Sequence, residues 1–390
     1  MSDSYDLVIV GGGIHGCGIA QAAAAAGYRV CLLEQTALAH GTSSRSSKLV
    51  HGGLRYLESG QLRLVWESLH ERRLLLAIAP ELVRMQPFHI PIYASTRRRP
   101  WQIRAGLSLY ALLAAGAGGT RFSTLARAQW SDLDGLRTDA LQAVFRYHDA
   151  QTDDAALTRA VMRSAQSLGA ELLMPAQFLR AEISNDGGVV HCLSGGREQS
   201  LHAKVLVNAG GPWAAALIDS IRPHPPAPAV ELIRGSHILL PGTLAQGIYY
   251  LEAPQDGRAV FAMPHGDGTL IGTTEASFRD APEQVVATAE DRAYLLGVAR
   301  HYFSRWQAAT EIGSFAGLRV LPAGTDRAFG RSRETMLIAD RAERPRVISV
   351  LGGKLTTYRA TAAKVIARIA SSLPSRHRRG DTRHLPLHPD

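Results

Sequence analysis

Gly11, Gly13 and Gly16 stand on G-x-G-x-x-G spacing in the stretch YDLVIVGGGIHGCGIAQAAAAAGYRVCLLE, which closes on Glu34. In such a unit the first glycine makes a tight turn and the second lets backbone approach a pyrophosphate. The third lets the next helix pack on its strand, and an acidic residue about 20 positions on accepts hydrogen bonds from ribose hydroxyls. Three cations stand beside glycine turns or strand ends: Arg55 in HGGLRY, Arg319 in FAGLRV and Lys354 in GGKLTTYR. Arginine forks grip phosphate or carboxylate through paired hydrogen bonds, so convergence of these groups would define an anion pocket, although any one of them taken alone fits a surface ion pair better. His51 and His237 are the imidazoles suited to accept a hydroxyl proton near neutral pH, or to serve as hydrogen-bonded structural residues. No cysteine, histidine or carboxylate cluster has metal-ligand spacing and there is no G-x-S-x-G elbow, so no metal is expected and the nucleotide unit carries the functional inference towards redox chemistry.

The elements that must hold these residues follow from the pattern. Leu7–Val10 is an apolar run suited to a buried strand, Ile14–Ala26 an alanine-rich helix whose N-terminus favours phosphate, and Arg29–Leu33 the next strand. The stretch from Ala37 to Glu58 matches neither period. Its hydroxyls Ser43, Ser44, Ser46 and Ser47, its bases and its Gly52–Gly53 pair read as a ligand-lining loop. A helix over Gln61–Ala79 is stopped by Pro80, a strand follows over Phe88–Tyr93, and the segment Tyr147–Gly169 contains a helix capped by Asp153 or Asp154. Glu171–Glu182 and Val189–Leu193 read as strands, and KVLVNAGGPW (Lys204–Trp213) as a strand and glycine turn returning to the first sheet. Proline-rich 223–228 marks a domain crossing. Beyond it Ile233–Leu240, Tyr249–Pro264, Thr269–Glu275 and Phe315–Leu321 suggest a separate sheet, with a helix in Gln284–Trp306. Val347–Leu351, Gly352–Gly353 and a helix over Thr356–Ser372 repeat the opening pattern, and the basic tail after Leu373 is expected to be disordered.

A chain of 390 residues exceeds one ordinary core, so two domains are expected, and 46% hydrophobic with 20% charged residues is a soluble globular balance. The net charge of +9 suits an anionic partner, a phosphorylated substrate or acidic lipid, or simple solvated clusters such as Arg97–Arg99 and Arg376–Arg379. No recognition motif supports nucleic acid. The segment Arg97–Gly119 is too short and too charged to cross a bilayer and reads either as a core helix or as an interfacial one with Trp101 at the headgroups and Arg104 towards anionic lipid. Cys17, Cys31 and Cys192 show no pairing pattern, consistent with a reducing compartment, and the fold is expected to begin within a few residues of Met1, with no signal peptide.

GGGIHGCGIA, TSSRSSKLVHGGLRYLE, NAGGPW, IRGSHILLP, IGTTE, GLRVLP and LGGKLTTYR, in this order from about Tyr5 to about Ser372, resemble the FAD-dependent glycerol-3-phosphate dehydrogenases of the D-amino-acid oxidase-like flavoprotein group. SSKLVHGGLRYLE and GGKLTTYR are the specific stretches. The resemblance implies an α/β fold: a Rossmann-like FAD-binding domain with a parallel sheet, from 1–95, 150–220 and 335–373, and an α+β substrate domain on a mostly antiparallel sheet, from 96–149 and 221–334, with 374–390 as a tail. It implies non-covalent FAD held by Gly11, Gly13, Gly16 and Glu34, by Thr42, Ser43, Ser44, Ser47, Lys48 and Leu49, and by His51, Gly52 and Gly53. Further cofactor contacts would come from Ala209, Gly210 and Trp213 and from Gly352, Gly353, Lys354, Leu355 and Thr356. Arg55, Tyr56, Arg319, Lys354 and, within RSRE, Arg333 match the family's substrate positions, and His237 in RGSH its histidine beside the substrate hydroxyl. The implied reaction oxidises sn-glycerol 3-phosphate to dihydroxyacetone phosphate, hydride passing from C2 to flavin N5 and the proton to His237 assisted by Arg319. Electrons then pass to a quinone, in a cytoplasmic protein with peripheral contact at the inner membrane face. Many family members continue into a C-terminal helical domain where this chain has a short basic tail, and often carry proline where Val320 stands. An oxidase of an amino acid or other hydroxy acid would need fewer cations, and a silent flavin-binding subunit would not need Arg55, Arg319 and Lys354.

Overall fold

A computed structural model describes residues 4–115, 121–324 and 334–389. The opening strand, Ser4–Val10, is buried along all but its first residue, so it can only be an interior strand. It pairs in parallel with Val30–Leu33 on one side and Arg197–Asn208 on the other. Between the first two runs the helix Ile14–Ala25, whose Ala20, Ala23 and Ala24 are fully buried, sits close enough to contact both Asp154–Ser167 and Tyr358–Ile369. Gly18 makes the last contact possible, because a Cβ there would stand 2.6 Å from the Tyr358 ring. Asp153 caps the second of these helices, its carboxylate accepting from the Ala156 amide.

Among the described residues this sheet has nine strands. Arg197–Asn208 joins its two halves. Its first half pairs antiparallel with Gly188–Ser194, while its second half runs parallel to Ser4–Val10 and to Val347–Leu351. The expected single strand over Glu171–Glu182 is two, Glu171–Leu173 and Ala176–Ile183, separated at Met174–Pro175, where proline removes a ladder donor.

A second sheet, of ten strands among the described residues, is antiparallel there except where Val83–Tyr93 runs alongside Ile248–Glu252. Side-chain alternation splits it cleanly. Ile248, Tyr250 and Phe145 face the helices Leu62–Ile78 and Pro100–Leu113, whereas Tyr249, Leu251 and Val144 face Ala289–Tyr302. Val83–Tyr93 and Leu49–Val50 fall in sequence within the expected cofactor segments yet pair in this second sheet. Helix Pro100–Leu113 is neither fully core nor fully interfacial: Ile103, Leu107 and Tyr110 are buried, while Trp101 and Leu112 are each 70% exposed.

The tail expected to be disordered is packed. The Arg376 guanidinium holds both Asp6 oxygens at 3.0 and 3.1 Å, and the amides of Arg379 and Gly380 donate to the Ala25 carbonyl at the end of the first helix. Leu387 is buried in the core around that helix and its amide donates to Ile78 O at 2.7 Å. Helix-end carbonyls lack internal partners, and the tail supplies one.

Candidate active site and cofactor cavity

The turn after the opening strand leaves no room for side chains. Gly11 has φ +107° and a Cβ there would lie 2.6 Å from Ala209 O, while one on Gly16 would lie 1.9 Å from Gly11 O. Glu34 accepts from the Gly12 amide at 2.7 Å through one oxygen and from the Thr36 amide and hydroxyl at 2.8 and 3.0 Å through the other. The Ile14 amide, at the helix start, donates to Ser43 Oγ at 2.9 Å, so the serine loop is pinned directly to the phosphate-type turn.

From this turn a cavity of about 490 Å³ runs on to the second sheet. At one end Gly11, Gly13, Glu34, Ala209, Gly210 and Trp213 line it; along it run Thr42, Ser43, Ser47, Leu49, His51 and Gly53. Gly352, Gly353, Lys354, Leu355 and Thr356 face it, as do Arg55, Tyr56, His237 and Arg319. Four residues expected at the cofactor do not line it. Gly16 packs the turn; Ser44 is tied by its carbonyl to Lys48; Gly52 turns its amide to Tyr110 Oη at 2.8 Å. Lys48 turns away behind the loop, where its ammonium donates to Asp154 at 2.5 Å and to Ser44 O at 2.7 Å. That pair ties the loop to the capped helix and leaves the lysine buried rather than along the ligand path. Arg333 lies outside the described residues.

The inner end is built on two antiparallel strands, Val230–Pro241 and Gly313–Pro322. Their register places His237 opposite Phe315, Gly235 opposite Gly317 and Ile233 opposite Arg319 on one face. The rings of His237 and Phe315 stack at 4.8 Å, and the imidazole fits only because its other neighbour is Gly272, whose Cβ would lie 2.1 Å from His237 Cδ2. His237 Nε2 and Ser47 Oγ share a hydrogen bond of 2.9 Å, while Nδ1 is buried without a partner among the described residues. Gly235 leaves space for Arg319, which donates to Thr273 Oγ1 at 3.0 Å and to Glu275 at 3.3 Å; Glu275 also takes Arg258 at 3.2 Å. Lys354 Nζ stands 3.9 Å from the centre of the Tyr56 ring and the Arg55 guanidinium 5.0 Å from it. Three segments far apart in sequence therefore deliver cations around one tyrosine and one histidine.

Burial, with Arg319, Lys48 and His265 adding to it, lowers the His237 imidazole to about 3, so it is uncharged near neutrality. Burial alone lowers His15 to about 4.

The chain matches the family described as DAO, FAD dependent oxidoreductase, over residues 6–359. It belongs to that family. Among curated relatives of this FAD-dependent oxidoreductase, a glycerol-3-phosphate dehydrogenase of Pseudomonas aeruginosa is 39% identical over 381 residues, covering 95% of this chain and 72% of the relative. A D-erythritol 1-phosphate dehydrogenase of Brucella abortus is 34% identical, covering 95% and 75%. Among solved structures, a Bacillus halodurans glycerol-3-phosphate dehydrogenase complexed with FAD superposes with a TM-score of 0.76 at 26% identity, covering 98% of this chain and 68% of that one.

The residues present fit FAD. The glycine turn that a Cβ would fill and the carboxylate at the second strand's end match the two ends of an adenosine diphosphate, and the cavity's length continues past it to the Gly352–Gly353 turn. In this FAD-dependent oxidoreductase, sequence reasoning missed His15, Tyr250, Phe261 and Thr273, all of which line the cavity, as does Arg45 within the serine loop expected along the cofactor. His15 and Thr273 stood inside the GGGIHG and IGTTE stretches and were within reach. Tyr250 and Phe261 alternate along strands like any core residue and carry no signal of their own.

Proposed function

We propose that this enzyme oxidises sn-glycerol 3-phosphate to dihydroxyacetone phosphate. The observation that carries the reading is the convergence of Arg55, Arg319 and Lys354 on the inner end of the cavity that begins at the dinucleotide turn. A dianionic phosphate needs more than one cation, and an amino-acid or hydroxy-acid carboxylate would leave part of this set unmatched. Arg55 and Lys354 would grip the phosphate over Tyr56, fixing the C2 hydrogen towards the Gly352–Gly353 turn, so that the clamp accelerates by positioning.

Arg319, oriented by Thr273 and Glu275, would polarise the C2 oxygen, and the neutral His237 would take the hydroxyl proton. An imidazole depressed to about 3 takes up a proton near neutrality at a cost of about 1.4 kcal/mol per unit. The substrate's phosphate, held at the same end of the cavity by Arg55 and Lys354, would offset part of that cost by its negative charge. When bound, FAD would supply the hydride acceptor at N5, with a quinone as the proposed final electron acceptor. The FAD contacts would come from the turn, serine-loop and Gly352–Thr356 residues that line the cavity.

Contact with an anionic membrane is the setting a quinone acceptor asks for. It is supported by the exposed Trp101 and Leu112 on one helix and Trp66 on its neighbour, beside Arg97, Arg99 and Arg104. Among the described residues no helix is long and apolar enough to cross a membrane.

The similarity to a D-erythritol 1-phosphate dehydrogenase favours a second reading, a longer polyol phosphate oxidised by the same clamp. Anaerobic titration of the yellow holoenzyme separates the readings. Bleaching by sn-glycerol 3-phosphate at lower concentration than by D-erythritol 1-phosphate, and none by glycerol or amino acids, is the expected result. Bleaching by an amino acid alone, or by neither phosphate, would sink the proposal.

A further inference from the structure

The Gly52–Tyr56 loop carries Arg55 and Tyr56 but has little regular structure of its own, only a short 3-10 turn over Leu54–Leu57. Two successive amides fix its entry. The His51 amide donates to Thr356 Oγ1 at 3.3 Å, tying the loop to the Lys354 segment, and the Gly52 amide donates to Tyr110 Oη at 2.8 Å. Tyr110 is itself held: its hydroxyl donates to Asp149 Oδ2 at 2.6 Å, and Asp149 Oδ1 accepts from Arg72 at 2.5 Å. All three side chains are buried, and none of them lines the cavity.

The cluster is costly where it stands. Beyond Asp149 the Arg72 guanidinium reaches only the His148 carbonyl, at 3.4 Å, and its Nε and second terminal nitrogen have no hydrogen-bond partner among the described residues. A buried ion pair with such gaps is a poor device for stability compared with apolar packing, so its value lies in what it orients. Its ion pair joins helix Leu62–Ile78 to strand Leu141–Thr152, and its exit is the Tyr110 hydroxyl on helix Pro100–Leu113, aimed at one loop amide. The geometry of that amide is tight, since even a Cβ on Gly52 would lie 2.4 Å from Tyr110 Oη and 2.6 Å from Leu69.

The geometry points to Tyr110, set by the buried Arg72–Asp149 pair, as a positioning residue that places Arg55 and Tyr56 against the substrate phosphate. This rests on the proposed phosphate clamp and names what holds one jaw of it. Losing the Tyr110 hydroxyl frees the Gly52 amide and leaves the loop entry held by the His51–Thr356 bond alone, so that Arg55 and Tyr56, beyond Gly52, shift against Lys354. Substrate grip weakens while the cofactor turn, the serine loop and His237 stay in place.

The test is steady-state kinetics and anaerobic flavin titration of the Tyr110→Phe holoenzyme with sn-glycerol 3-phosphate. A lost hydrogen bond predicts a KM raised by up to roughly tenfold, with kcat changed much less and FAD content unchanged. A KM equal to that of the wild type overturns the inference even if the melting temperature falls, because a purely structural tyrosine would move only the latter. Should Tyr110→Phe fail to fold, Arg72→Lys keeps the charge beside Asp149 and is expected to raise KM by a smaller factor; a folded Arg72→Lys enzyme with unchanged KM is equally fatal. Wild-type flavin that is not bleached by the phosphate overturns the clamp itself, whereas wild-type bleaching with an unshifted half-saturation in both variants overturns only the positioning role.

Discussion

His237 shows how a single side chain is specified by what its neighbours lack. Its ring lies over Gly272 and against Phe315, with Ser47 on one nitrogen, so three separate segments set its position. Gly272→Ala would put a methyl 2.1 Å from the ring carbon Cδ2, and the imidazole must swing off Ser47. The expected outcome is a fall in kcat/KM of roughly a hundredfold with FAD retained, since a displacement of about 1 Å at a reacting group costs that much. Kinetics beside the flavin spectrum of the variant checks it; an active Gly272→Ala enzyme would show that the ring has room it is not seen to have. Sequence singled out Arg319 by its glycine-flanked setting and His237 as an imidazole within RGSH, but the glycines that make room for both became visible only with the strand register. Lys48 illustrates the opposite. Placed by its neighbours on the ligand path, it pairs instead with Asp154, a partner 106 residues away, and no local pattern announces such a pairing.

At the scale of elements, what was legible was what is local. The strand, turn and helix from Ser4 to Ala25, the strand to Leu33 and the Val347–Leu351 repeat of the pattern are each encoded within a few turns of chain, because one apolar period and a few glycines suffice. The C-terminal tail was illegible for a physical reason: its composition is that of a solvated segment, and its anchors, among them backbone amides, the Arg376 fork on Asp6, bonds from Arg163 to His388 and from Arg379 to Leu168, and the buried Leu387, all lie with partners far away in sequence. These contributions are unequal. Arg376 is 45% exposed in its pair with Asp6, so solvent screens the pair and Arg376→Ala should lower stability only slightly. Leu387→Asp forces a carboxylate into the core beneath Ile78 and should cost several times more. Thermal melts of the two variants should therefore separate clearly; equal melting temperatures would mean that the tail does not pack as described.

The whole molecule joins one long ligand path to interiors that hold imidazoles uncharged. His237 is lowered to about 3, and His15 and His89 to about 4, by burial first and by neighbouring cations at His89 and His237. Above the ordinary value near 6.5 these rings are neutral in both the folded and the unfolded chain and make no pH-dependent difference. As pH falls below it the unfolded chain takes up protons that the folded one refuses, so stability declines through the window from about 6.5 down to about 4, and on to about 3 for His237. His89 isolates the effect, because it lies in the second sheet against Tyr249 and outside the cavity, with Arg146 and His148 lowering it and Asp134 opposing them. A shift from 6.5 to about 4 corresponds to roughly 3 kcal/mol at the acid limit. His89→Asn removes that term, so denaturant unfolding measured from pH 7 to pH 4 should show a shallower acid decline in the variant than in the wild type, whatever the carboxylates contribute to both. Parallel curves would mean that His89 is protonated in the folded protein, and that the interior of the second sheet tolerates a charge that its packing gives no means of solvating.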